Sequence, residues 1–80
     1  MSREEVVERV TNVFRDVFND DALVLTDETT AADVAGWDSL RHITLMEEVE
    51  DEMGITFSML EINCMKNVGE MFDIIQARAK

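Results

Sequence analysis

Residues 5–18 read Glu5-Val6-Val7-Glu8-Arg9-Val10-Thr11-Asn12-Val13-Phe14-Arg15-Asp16-Val17-Phe18, a stretch whose apolar residues all have strand propensity. Their spacing says otherwise. Val6, Val7, Val10, Val13, Phe14, Val17 and Phe18 follow a period of 3.6, the stripe of an amphipathic helix, and Ser2 with Glu5 forms a capping-box pattern just before it. A helix is predicted over residues 3–18, and with it an all-α fold, because no later segment has a strand period and no proline interrupts the chain.

Working outward, residues 19–37 are rich in Asp, Thr and Ala. A connection this long inside a small domain tends to be functional or disordered. Leu23-Val24-Leu25, Val34 and Trp37 are its expected anchors to the core, and Gly36 supplies a turn before the next element. The second helix should open with Asp38 as N-cap, bury Leu40, Ile43, Leu45, Met46, Val49 and Met53, and stop at Gly54. Two more capping-box patterns, Ser58 with Glu61 and Asn67 with Glu70, predict a short third helix and a fourth over 67–79. The fourth would turn Val68, Met71, Phe72, Ile75 and Ala79 inward and place Arg78 and Lys80 at its negative end. The expected architecture is one domain, residues 1–80, forming a small four-helix bundle with three longer helices, one short one, and a long loop between the first two.

Composition limits what such a bundle can do. Eighteen acidic against seven basic residues give a net charge of -11, of which residues 19–53 carry ten. This excludes holding nucleic acid by charge, favours basic partners, and through self-repulsion favours a monomer. Four charges by residue 8, and the lack of any long apolar run, argue against a signal peptide or a membrane span. The single cysteine, Cys64, rules out an internal disulfide and a cysteine-based metal cluster, so cytoplasm is the expected location and burial as a small apolar residue the expected role. Asp20-Asp21 and Asp27-Glu28 lack calcium-loop spacing, so no metal site is expected. So short a chain also leaves little room for an internal catalytic pocket.

Two local features bear on chemistry. Ser39 stands in the first turn of the second helix, where free N–H groups and the helix dipole favour an attached anion, although a serine there equally serves as a cap. His42, one turn on, raises a base-activated nucleophile, but no group is in evidence to orient the imidazole and no oxyanion pocket can be built. As alternatives, His42 is an exposed residue beside the helix start or brushes a phosphate carried nearby. Trp37 is read as an anchor rather than a stacking platform, and the methionines as adaptable packing.

Gly36-Trp37-Asp38-Ser39-Leu40, the acidic amphipathic run to Met53, Gly54-Ile55-Thr56-Phe57 and the later Asn67-Val68-Gly69-Glu70 together resemble the acyl carrier protein family over nearly the whole chain. The resemblance implies a carrier, not an enzyme. A phosphopantetheinyl transferase would join 4'-phosphopantetheine to Ser39, within the motif Asp38-Ser39-Leu40, and the arm would hold acyl thioesters for fatty-acid or polyketide-type enzymes. It further implies docking of basic partner patches on the second helix through Arg41, Thr44, Glu47, Glu48, Glu50 and Asp51, with Glu52 on the same outward face. Arg41 and Thr44 depart from the acidic residues frequent there in the family, which points to a dedicated enzyme set. An aminoacyl or peptidyl carrier is an alternative, although Asp rather than His before the serine favours an acyl carrier; an unmodified acidic helical interaction module is another.

Overall fold

The computed structural model describes residues 1–79, so the expectation for Lys80 lies outside the described residues. Four helices follow one another: α1 (Arg3–Phe18), α2 (Ser39–Met53), α3 (Met59–Cys64) and α4 (Val68–Arg78), with one 3-10 turn at Ala31–Asp33 in the long first connection. No strand occurs among the described residues.

Each helix begins and ends where its local chemistry permits. Ser2 caps α1 through the Glu5 N–H, and Asn19 closes it in the left-handed conformation (φ 51°). Asp38 caps α2 through the Arg41 N–H, and Gly54 (φ 67°) ends it. Ser58 and Glu61 form a complete reciprocal box at α3, whereas Ser2 and Asn67 each supply only the forward half of one. At the 3-10 turn the Asp33 carboxylate accepts from the Thr30 N–H at 2.9 Å, the return half of such a box.

The core is made by α1, α2 and α4. Val6, Val10, Val13 and Phe14 meet Leu45, Met46, Val49 and Met53 from α2 and Val68, Met71, Phe72 and Ile75 from α4, with Leu25 and Phe57 filling in from the connections. Burying one such side chain contributes roughly 1.5–3 kcal/mol, so this set, and not helix propensity, holds the bundle. The short α3 buries none of its residues.

Several expected core residues are not in it. Leu40 and Ile43 are 76% and 57% exposed, because α1 covers the side of α2 that carries Leu45 and Val49 and leaves theirs uncovered. Val24 is 71% exposed while Leu25 and Val34 are buried, so the first connection is anchored at fewer points than its apolar content suggests. Cys64 is exposed at the end of α3, whose inward contact with the core is made by the partly buried Ile62 instead.

Long-range polar contacts steer that connection. The carbonyls of Thr29 and Asp27 accept from the Val68 and Gly69 N–H groups at 2.8 and 3.0 Å, and Asn67 accepts from Glu70, so the first three donors of α4 are all satisfied. Arg3 reaches Asp73 (2.6 Å) and Asp27 (3.2 Å) with its guanidinium 5.3 Å above the Phe72 ring, joining the start of α1 to α4 and the connection. Arg15 donates to the Leu23 carbonyl at 2.9 Å. On the other side, Arg78 holds Glu61 by two hydrogen bonds, and together with the Ser58 backbone they keep that carboxyl below its ordinary value of 4.5.

Two expectations follow from these contacts. A Cβ on Gly69 would lie 2.6 Å from the Asp27 carbonyl oxygen. Alanine ordinarily gains ~1 kcal/mol over glycine inside a helix, but backbone overlap of this kind costs ~1–3 kcal/mol. Gly69→Ala should therefore lower Tm in a thermal melt, and a raised Tm would show that the connection yields freely. Glu50, expected on the outward face, instead accepts from the Phe57 N–H at 2.7 Å. Glu50→Ala should cost about 1 kcal/mol in urea unfolding, against a change within about 0.5 kcal/mol for exposed Glu47→Ala; equal effects would contradict the assignment.

Candidate functional site

The site begins with the placement of Trp37. Its ring meets Phe14 edge-on at 5.3 Å and lies 6.0 Å from Phe18, seated against the end of α1 as an anchor. Gly36 takes φ 86° to bring the chain into it, and Asp38 then caps α2. Ser39 is thereby the first residue of α2, exposed, with its own N–H and that of Leu40 left without partners among the described residues. A phosphodiester on this hydroxyl would sit at the positive end of a 15-residue helix.

Beside Ser39 a cavity of about 690 Å³ lies between α2 and α3. Trp37, Asp38, Ser39 and His42 form one end, and Met46, Phe57, Ile62 and Met71 contribute its apolar lining. Ligand pockets typically span about 300–1,000 Å³, so this is a binding-sized space in a chain whose length argued against one. It exists because α3 spans the gap without filling it. Cavity and exposed hydroxyl together fit a phosphorylated arm bearing an apolar end.

The remaining site residues divide. Leu40, Ile43, Thr44, Glu47, Glu48, Asp51 and Glu52 are exposed, and Met59 and Leu60 of α3 expose 71% and 72%. Glu50 is half-buried and committed to Phe57, so it does not share the free outward face with Glu47 and Glu48. Arg41, though exposed, donates to the Val17 carbonyl at 2.7 Å, drawing its charge back to the negative end of α1.

His42 is neither an exposed residue nor a free base. Its Nδ1 accepts from the Trp37 indole N–H at 3.1 Å and its Nε2 lies 3.0 Å from the Ile62 carbonyl oxygen. Both ring nitrogens are engaged away from Ser39, which removes the nucleophile reading. The indole N–H five residues before the imidazole was the available sequence signal; its partner carbonyl on α3 had none.

Comparison with known proteins agrees with this arrangement. The family described as the phosphopantetheine attachment site matches residues 8–75. The acyl carrier protein of Saccharopolyspora erythraea is 27% identical over 74 residues, 92% of this chain and 78% of that one. The solution structure of the holo acyl carrier protein from Geobacter metallireducens superimposes with a TM-score of 0.85 at 40% identity, over 91% of this chain and 84% of the other. No described helix is long and apolar enough to cross a membrane. With an exposed serine opening an acidic helix, a cavity beside it and a match over most of its length, the chain belongs to the acyl carrier proteins, the phosphopantetheine-bearing carriers rather than the enzymes they serve.

Proposed function

We propose that Ser39 is the residue that bears the phosphopantetheine, and that the protein delivers acyl groups to a dedicated set of fatty-acid or polyketide-type enzymes. The observation that carries this reading is the placement of an exposed Ser39 hydroxyl at the start of α2 and at one end of the cavity. When attached, the group supplies a terminal thiol on which an acyl chain is held as a thioester. Asp38 fixes the helix start through the Arg41 N–H at 2.8 Å, and Leu40 is the exposed residue immediately after the attachment point.

The cavity suits the apolar end of such cargo. Met46, Met59, Met65 and Met71 all line it, and unbranched thioether side chains adjust to chains of differing shape. Tethering raises the effective concentration of the cargo at each partner without tight binding.

Docking falls to the exposed faces of α2 and α3. Leu40, Ile43 and Met59 offer apolar contact, and Glu47, Glu48 and Asp51 supply the acidic rim that steers basic patches of a transferase or an acyl-processing enzyme. Thr44 adds no charge there, and Arg41 keeps a cation at the α1 end of the same face, which together favour partners adapted to this carrier.

Incubation with a phosphopantetheinyl transferase, coenzyme A and magnesium should raise the intact mass by one phosphopantetheine unit, with no gain in Ser39→Ala. An unmodified wild-type chain would support the interaction-module reading, and a gain that survives Ser39→Ala would move the attachment point elsewhere.

A further inference from the structure

Fastenings of α3 are few and unevenly placed. At its start, Glu50 accepts from the Phe57 N–H, and Arg78 reaches the Thr56 carbonyl and Glu61. Toward its end the side-chain bond from another helix is the one between His42 and the Ile62 carbonyl. The last carbonyls of a helix have no partners within it, and a basic side chain can serve them. His42 performs that service from α2.

The direction of the bond follows from its neighbour. Trp37 has only an N–H to offer, so the His42 Nδ1 must be an unprotonated acceptor. A neutral imidazole then carries its proton on Nε2 and donates it to the Ile62 carbonyl. The two rings lie nearly parallel (24°), and Trp37 is in turn wedged against Phe14. A continuous series of contacts thus runs from the α1 core through Trp37 and His42 to the outer end of α3, with Trp37, His42 and Ile62 all forming cavity wall near Ser39.

We propose that His42 is a positioning residue that latches the C-terminal end of α3 over the cavity, with Trp37 selecting the tautomer that makes the latch. Its loss loosens the wall formed by Ile62, which packs only partly buried against the core, while leaving the α1–α2–α4 core in place, because none of the fully buried core residues comes from α3. The consequence for cargo, a more accessible acyl chain, rests on the reading of Ser39 given above; the latch itself does not.

His42→Phe keeps a ring beside Trp37 and removes both hydrogen bonds, while His42→Gln can restore the donor to Ile62. In the unloaded protein, amide exchange at residues 62–64 should accelerate about tenfold in His42→Phe, the factor carried by one ordinary hydrogen bond, and less in His42→Gln. Exchange within α1 and α4 should stay unchanged, and the Trp37 indole proton should move upfield in His42→Phe. Wild-type His42 should show the Nε2–H tautomer by nitrogen NMR. Unaltered protection at 62–64, acceleration spread evenly over all helices, or an Nδ1–H tautomer would each overturn the latch. In the octanoyl-loaded protein, hydroxylamine should cleave the thioester faster in His42→Phe than in wild type, and equal rates would overturn the link to cargo. Failure of Ser39 to load would defeat the attachment reading and leave the exchange result standing.

Discussion

Trp37, seated edge-on against Phe14, determines where α2 begins, and every feature offered to a partner is measured from that point. The chain cannot enter the helix earlier, because Gly36 is in a left-handed conformation and Trp37 is held against the end of α1. It cannot enter later without giving up the Asp38 cap, a contact of the kind that contributes ~1 kcal/mol. Ser39 is left exposed at the first position by these two constraints, with the donors of the helix end around it.

The bundle divides its work unequally as a result. Three helices share the apolar core, which must supply nearly all of a small domain's net stability of about 5–15 kcal/mol. The remaining helix, α3, is a six-residue cover held by polar contacts at its edges and by the partly buried Ile62. Filling the space beneath it would add apolar burial but remove a cavity of about 690 Å³. A domain that need only fold, dock and carry can forgo that burial; the methionines lining the space are side chains suited to a wall that must accommodate a guest.

Local chemistry was readable from the chain and long-range geometry was not. The 3.6 period of α1, the Asp38 and Gly54 boundaries of α2, and the Ser58–Glu61 box each depend on residues within a few positions of one another, and each is found as expected. Periodicity assigns a helix an apolar side but not the neighbour that will cover it, which is why it points Leu40 and Ile43 inward although both are exposed. Glu50 and Arg41, docking residues by the family resemblance, also hold the fold; their partners, the Phe57 N–H and the Val17 carbonyl, are backbone groups that have no side-chain signature. The carbonyls of Asp27 and Thr29 that receive the start of α4 are equally silent in sequence, although Gly69 marks the closest approach. Asp38-Ser39-Leu40 stood out through its setting, an acidic helix after a long loop, rather than through its three residues alone.

The central claim is that the Ser39 end of α2 and the cavity beneath α3 work as one unit, the first bearing the arm and the second receiving its cargo. Methyl and amide NMR spectra of the loaded protein, with and without an octanoyl group, test this most directly. The account predicts that acylation shifts Met46, Ile62 and Met71, which line the cavity, while Val6 and Val10 on α1 stay in place. Shifts confined to Ser39 and its immediate neighbours would leave the cargo in solvent and contradict it.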